Sequence, residues 1–227
     1  MFVGHYSASF IAKGLEPRAS LGLLFIAAQF LDFVFFPLAL LNIEALEMHQ
    51  SATASTHFLL PFMPWSHSIW AAAIWSFIVL IVALKVLNTS KTTAILLMLV
   101  TQTHWLLDLL VHDSDLAVWR IFSANASKLG FGLWDQAILA FALECGFLIG
   151  AYWFYIKRTH AVNKLGIYGP ATLLIVLIAI HAFNTFAPYI KISASAFAVS
   201  ALAMFITFTI IAGYLDSNRR GGVKSEL

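Results

Sequence analysis

Three residues of one apolar segment have the types and the spacing of metal ligands. His104, Asp108 and His112 follow one another at intervals of four residues, which places their side chains on one face of a helix. Zinc and similar divalent ions bind imidazole nitrogens and carboxylate oxygens, and helical proteins build such sites from several facing helices. The sequence therefore predicts that this segment contributes to a metal site that other segments complete.

Further ionisable side chains interrupt the other apolar segments. Asp32 lies in the first segment, His67 begins the second, Glu144 lies in the fourth and His181 in the fifth. A bound divalent ion would polarise a carbonyl or phosphoryl oxygen and lower the pKa of its water to about 7. Glu144, in apolar surroundings, is suited to act as a general acid or base. Together these groups predict hydrolytic chemistry.

The composition indicates which solvent surrounds these segments. Of 227 residues, 61% are hydrophobic and 11% are charged, whereas soluble domains have roughly 45–50% apolar and about 25% charged residues. So few charged side chains cannot cover a soluble domain of this size, and the chain is expected to lie in a lipid bilayer. A net charge of +2 argues against binding of nucleic acid, and the single Cys145 excludes an intrachain disulfide or a cysteine metal cluster.

Six long apolar segments with short connections predict the fold. A bilayer core about 30 Å thick requires about 20 apolar residues for each helix that crosses it. We predict an all-α integral membrane protein of about six transmembrane helices, with residues 1–227 forming a single helical-bundle domain. The predicted spans are Ala19–Leu41, His67–Leu87, Thr92–His112, Gln136–Ile156, Gly169–Tyr189 and Ser193–Tyr214.

The rise of a helix indicates how deep the ionisable side chains lie. At about 1.5 Å per residue, Asp32, His104 and Glu144 each lie about 20 Å, and His181 about 18 Å, from the cytoplasmic end of their spans. Four helices would therefore bring ionisable side chains to one plane, displaced toward the exterior. Each such group costs about 2.5–3.5 kcal/mol near the bilayer centre, so a shared plane favours a functional site over packing.

A short N-terminal segment would bring a further histidine into this plane. Gly14 favours a turn, and Phe2–Lys13 is predicted to form a short re-entrant or amphipathic helix before it. His5 and Asp32 lie 13 and 14 residues from Arg18 in opposite directions. A helical hairpin would consequently place these two side chains at equal depth.

The distribution of lysine and arginine predicts the orientation. With the N-terminus in the cytoplasm, ten of the 13 basic residues lie on that side, in agreement with the positive-inside rule. We therefore expect a multi-pass membrane protein with both termini in the cytoplasm. The ten residues are Lys13, Arg18, Lys85, Lys91, Lys157, Arg158, Lys164, Arg219, Arg220 and Lys224, and the other three are Arg120, Lys128 and Lys191.

Several short motifs within about residues 1–145 resemble one family. The motifs are Gly4-His5, Ala28-Gln29-Phe30-Leu31-Asp32, Ser66-His67-Ser68, and His104-Trp105-Leu106-Leu107-Asp108 with His112. They are similar to those of the membrane-bound metal-dependent hydrolases of bacterial inner membranes. That family in turn resembles the zinc-dependent phospholipase C and single-strand nuclease superfamily, whose all-helical site uses histidine and aspartate ligands.

The resemblance implies roles for individual residues and a location in the bacterial inner membrane. One or two divalent ions, zinc first among them, would be bound by His5, Asp32, His67, His104 and Asp108. Asp108 and Glu144 would be catalytic, and His112, Ser68 and His181 would support the ligands. The chain departs from the family at Val34, where some members have a second aspartate, and at Phe62-Met63-Pro64-Trp65, where many have His-Arg-Gly.

Three functions remain open from the sequence. The first is a metal-dependent hydrolase that acts near the outer membrane face on a phosphoester or lipid-linked substrate. The second is a permease-like transporter in which the same plane carries protons or a divalent cation. The third is a catalytically inactive structural membrane protein. The sequence contains no GxSxG, P-loop, HExxH or CxxC motif that would favour a serine hydrolase, an NTPase or a zincin.

Overall fold

Helices dominate the computed structural model, which describes residues 1–118 and 127–222. Each of the six predicted apolar segments is helical over most of its length, so the all-α architecture is confirmed. Within the described ranges the helices are α1 (His5–Leu15), α2 (Leu21–Ala28), α3 (Phe30–Leu40), α4 (Ile69–Lys85), α5 (Lys91–Val111), α6 (Ala137–Arg158), α7 (Lys164–Phe186) and α8 (Ala194–Asp216).

The lengths of these helices give the chain the character of a multi-pass membrane protein. Helices α5 to α8 are long and apolar enough to cross a bilayer, and α2 with α3 would count as a fifth span. Helix α4 is apolar but has 17 residues, fewer than the roughly 20 that a span requires. Four or five spans are therefore supported, and six are not confirmed. The predicted orientation stays a prediction, and Arg120 and Lys224 lie outside the described residues.

A buried hairpin of α1 and α2 begins the fold, where the sequence predicted a short N-terminal helix. Helix α1 packs against α2, α5 and α6, and the ring of Tyr6 stacks on Phe25 of α2 with 4.3 Å between centroids. The ammonium group of Lys13 closes the turn by donating to the carbonyl oxygens of Pro17 and Ala19 and by pairing with Asp216 of α8 at 2.6 Å. These contacts hold His5 inside the bundle.

A bend between α2 and α3 divides the first predicted span. The two helices meet at an angle of 53° at Gln29, whose side-chain amide donates to the carbonyl of Phe2 at 3.1 Å. At this break the carbonyl of Ala28 accepts a hydrogen bond from His104. The bend was not predicted from the sequence, and it joins the backbone of the first span to the candidate site.

Three short antiparallel strand pairs lie outside the helices in the described part of the chain. Strands β1 (Ala45–Met48) and β2 (Phe58–Phe62) pair between α3 and α4, with Met48 opposite Phe58 and an irregular register beyond Glu47. The remaining elements are β3 (Leu116–Ala117) with β4 (Lys128–Leu129), β5 (Thr159–Ala161) with β6 (Arg219–Gly221), and a short 3-10 helix at Leu133–Asp135. The β1–β2 hairpin matters most here, because it forms part of the wall beside the candidate site.

Two apolar clusters form the core, and the ionisable residues of α3 and α5 lie where they meet. One cluster contains Ala28 and Val100, and the other contains Leu31 and Trp105. Phe2 packs against both clusters. The candidate ligands are thereby enclosed by close-packed side chains that limit their movement.

Candidate metal centre

Four parts of the chain bring histidine and aspartate side chains together. His5 comes from α1, Asp32 from α3, His67 from the residues just before α4, and His104 and Asp108 from successive turns of α5. Four of the five are almost completely buried, and only Asp32 is partly exposed. Some of these residues are about 100 positions apart in the sequence, so only the tertiary fold brings them together.

Four possible ligand atoms of this cluster lie close to one another. His67 Nε2 lies 3.3 Å from His104 Nε2 and 3.5 Å from Asp32 Oδ1. Asp108 Oδ2 lies 3.2 Å from His104 Nε2 and 3.6 Å from His67 Nε2, and the distance from His104 Nε2 to Asp32 Oδ1 is 3.9 Å. In a tetrahedral site with bonds of about 2.0–2.1 Å, neighbouring ligand atoms are about 3.3–3.4 Å apart. The separations that join His67 and His104 to each other and to the carboxylates are close to this value, and Asp32, His67 and His104 form one group that could hold an ion.

Hydrogen bonds fix which nitrogen of each imidazole is free. His104 Nδ1 lies 2.7 Å from the carbonyl oxygen of Ala28, and a carbonyl can only accept, so Nδ1 carries the proton. His67 Nδ1 lies 2.7 Å from Ser66 Oγ, whose own hydroxyl proton is donated to Glu44 Oε2 at 2.6 Å. His67 Nδ1 must therefore donate as well. When both rings are neutral, their Nε2 lone pairs are directed toward each other and toward carboxylate oxygens, an arrangement that a bound cation would stabilise.

The position of His67 is fixed from several sides. Its backbone carbonyl accepts a hydrogen bond from Trp105 Nε1 at 3.0 Å, and the ring of Phe35 meets its imidazole edge to face at 5.7 Å. The next residue, Ser68, caps α4 by accepting from the backbone nitrogen of Ala71 at 3.1 Å. Ser68, which was predicted to support the ligands, therefore begins the helix immediately after His67.

A second group of side chains faces the other oxygen of Asp108. His5 Nε2 lies 3.2 Å from Asp108 Oδ1, and the ring of His5 stacks on that of His104 with 3.7 Å between centroids. The Met1 amino group also contacts Oδ1, and His112 Nε2 lies 3.8 Å away. His5, His104 and Asp108 together form a second group that could hold an ion. Asp108 thus has both of its oxygens in the cluster and could be shared by two ions.

His112 lies at the outer edge of the cluster. Its Nδ1 is 2.9 Å from Asp115 Oδ1, and its ring lies 4.3 Å from that of Trp134. A carboxylate on one nitrogen of a histidine orients the other nitrogen, which here is directed toward Asp108. This geometry suits the supporting role that was predicted for His112.

Glu144 and His181 form a separate pair beside the cluster. Glu144 Oε2 accepts hydrogen bonds from the backbone nitrogens of Phe2 at 2.9 Å and Gly4 at 3.0 Å, so this carboxylate lies at the N-terminus of α1, where the helix dipole favours negative charge. His181 Nε2 lies 3.8 Å from the same oxygen. These contacts hold the first turn of α1, and His5 with it, against α6. The catalytic role predicted for Glu144 stays a prediction.

Glu44 is a functional candidate that the sequence analysis missed. It is 3% exposed although it lies in a connection, and its Oε1 accepts from the backbone nitrogens of Trp65 at 2.7 Å and Ser66 at 3.0 Å. Burial raises the pKa of Glu44. Its partners lie more than 20 residues away in a loop of irregular structure, so no local spacing in the sequence indicates the interaction.

An apolar cavity of about 370 Å³ opens onto the cluster. Asp32, His67, Asp108 and His112 line one end of it, and Glu144 and His181 line its wall nearby. Phenylalanine side chains of α3 and α8 form much of the remainder. Asp32, His67 and Asp108 are thus accessible from the cavity, whereas His5 and His104 do not line it.

Comparisons with protein-family models, with curated proteins and with solved structures found no significant match to this chain. The resemblance of its short motifs to the membrane-bound hydrolases stays a prediction. What can be stated plainly is that this is a helical, membrane-like protein whose buried histidine and aspartate side chains could bind a metal ion.

Proposed function

We propose that this protein is a metal-dependent hydrolase of the membrane that acts on a phosphoester or lipid-linked substrate. The observation that carries the proposal is the convergence of His67 Nε2 and His104 Nε2 with oxygens of Asp32 and Asp108. Zinc is our first choice of metal, because imidazole and carboxylate ligands suit it. The resemblance to bacterial inner-membrane hydrolases, with both termini cytoplasmic, is part of the proposal.

The surrounding residues suit hydrolysis. A bound divalent ion would polarise the substrate oxygen and lower the pKa of a water molecule. Asp32 is the more accessible of the two carboxylates, since its side chain is 19% exposed while that of Asp108 is 2% exposed. Asp108 Oδ1, with His5 and His112 beside it, is in a position to accept a proton from an attacking water.

A transporter is the second candidate, and the bend between α2 and α3 favours it. Broken helices beside an ion site are typical of secondary transporters, and this bend lies next to Asp32. However, on the other side of the cluster the hairpin of α1 and α2 is tightly filled by Tyr6, Phe10, Leu24 and Phe25, all fully buried. An ion path through the bundle would require these side chains to separate, so we prefer the hydrolase.

Elemental analysis of the purified protein tests the proposal. We expect stoichiometric zinc, manganese or iron in the wild type and its loss in the His104→Ala/Asp108→Ala variant. His160→Ala, which changes a histidine of strand β5 far from the cluster in sequence, serves as the matched control and should retain the metal. A folded wild type that binds no metal even after loading would overturn the proposal.

Activity then separates the two candidates. Metal-dependent hydrolysis of bis(p-nitrophenyl) phosphate by the wild type, absent in the double variant, would support the enzyme. Metal or proton flux into liposomes without any hydrolysis would favour the transporter. Bound metal with neither activity would favour a structural protein.

A further inference from the structure

We propose that the cavity beside the metal centre holds a long hydrocarbon chain of the substrate, and that the substrate is an alkyl phosphodiester. This inference rests on the proposed function, since it assumes that the reacting group lies at the histidine and aspartate cluster. It goes further by naming the substrate class and the residues that select it.

The cavity is lined mostly by apolar side chains, and the histidine and aspartate cluster lies at one end of it. Asp32, His67 and Asp108 lie at this end, whereas Phe36 of α3 and Phe205 of α8 line the apolar part. Ligand pockets usually have about 300–1,000 Å³ and a few convergent polar groups in apolar walls, and this cavity has about 370 Å³. Such a shape fits an amphiphile whose polar group lies at the cluster and whose chain lies along α3 and α8.

Two connections between helices also line the cavity, with polar side chains such as Ser55 and Tyr189 among apolar ones. The apolar residues are Pro188, Ile190 and Ile192 between α7 and α8, and Leu46 and Phe58 of the β1–β2 hairpin. Ile190 is 61% exposed. In a bilayer, apolar side chains at an opening allow a lipid chain to enter without crossing a polar barrier.

The charge of the site selects a phosphodiester. Among the described residues that line the cavity there is no lysine or arginine. One divalent ion and the Met1 amino group, which lines the cavity and pairs with Asp108, formally balance the carboxylates of Asp32, Asp108 and Glu144. A phosphomonoester dianion would therefore bring more negative charge than the site compensates, whereas a phosphodiester carries a single charge.

The reaction adds the oxygen of water to phosphorus and breaks the P–O bond to the leaving alcohol. One proton of the water ends on that alcohol and the other on the phosphomonoester product.

Chain-length preference tests the inference. The substrates are hexadecyl p-nitrophenyl phosphate and ethyl p-nitrophenyl phosphate, which share the reacting bond and differ in the chain. Ala201 of α8 lines the cavity and is 6% exposed, and Ala201→Trp should fill it. We expect the wild type to prefer the hexadecyl substrate in kcat/KM by at least about tenfold. Ala201→Trp should lose that preference through a fall in kcat/KM for the hexadecyl substrate.

The matched control is Val199→Trp on the same helix. Val199 is 56% exposed and does not line the cavity, so this variant should keep the preference. If Ala201→Trp does not fold, Ser200→Trp replaces it, because Ser200 lines the cavity from an exposed position. Binding of hexadecylphosphocholine, a long-chain phosphodiester, to the wild type and to the variant is measured in parallel.

Each outcome separates the inference from the proposed function. Equal turnover of both substrates, unchanged in the cavity-filling variant, would overturn the inference and leave the hydrolase standing. Binding of hexadecylphosphocholine that Ala201→Trp abolishes, without hydrolysis of either substrate, would support the chain site and count against the hydrolase. Neither hydrolysis nor variant-sensitive binding would overturn both.

Discussion

Glu44 holds the orientation of His67 through a single hydroxyl group. Because the Ser66 hydroxyl donates to Glu44, its oxygen is free to accept from His67 Nδ1, and His67 Nε2 is left to bind a metal. Groups of this kind, one step removed from the metal, fix the tautomer and the ring orientation of the ligand. The first prediction at the residue scale concerns this chain of contacts.

We expect Glu44→Ala to weaken zinc binding by about 10–100-fold, the range typical of such partners. The substitution leaves the backbone nitrogens of Trp65 and Ser66 without acceptors and allows the Ser66 hydroxyl to donate to His67 instead. Competition with a chelator measures the dissociation constant. Glu47→Ala is the control, because Glu47 is an exposed carboxylate of the neighbouring strand. Equal zinc affinity in Glu44→Ala and wild type would contradict the role assigned to Glu44.

At the scale of elements, α1 depends on a carboxylate from another helix. Glu144 of α6 accepts two backbone hydrogen bonds at the N-terminus of α1, whereas Gly4, the residue before α1, lies inside the bundle and has no side chain to form such bonds. We expect Glu144→Ala to reduce the free energy of unfolding by about 1–2 kcal/mol, in line with the loss of a helix cap. Thermal unfolding in detergent measures the change.

Glu144→Gln distinguishes this structural role from the predicted catalytic one. Its amide oxygen can still accept from the two backbone nitrogens, but it cannot take up a proton as a general base. Stability close to the wild type together with a large loss of kcat would support catalysis. An unchanged kcat with stability preserved would show that Glu144 acts only through α1.

The sequence predicted best what depends on local spacing. The i to i+4 interval places His104 Nε2 3.2 Å from Asp108 Oδ2, and the apolar runs mark the helices to within a few residues. The α1–α2 hairpin was also anticipated, since its turn is a local feature. The bend at Gln29 and the pairing of Glu44 with Ser66 were not anticipated, because each depends on residues far away in the sequence.

At the scale of the whole molecule, the candidate ligands join segments that are distant in the sequence. Asp32, His67 and the pair on α5 lie in three different parts of the bundle, so a bound ion would link α3, α4 and α5. Without it, two carboxylates and two imidazoles remain close together within a poorly hydrated interior, which is unfavourable. The stability of the bundle should therefore depend on the metal.

Metal removal should lower the stability of the wild type and leave the His104→Ala/Asp108→Ala variant unaffected. A ligand that binds only the folded state stabilises it by about 2.7 kcal/mol at a free concentration 100 times its dissociation constant. We expect Tm in detergent to fall after treatment with EDTA and to recover when zinc is added, with His160→Ala behaving as the wild type. The double variant, which lacks two of the four ligand groups, should show no zinc-dependent shift. If its Tm rose with zinc as much as that of the wild type, the stabilising ion would be bound elsewhere, and the four-residue site would lose its support.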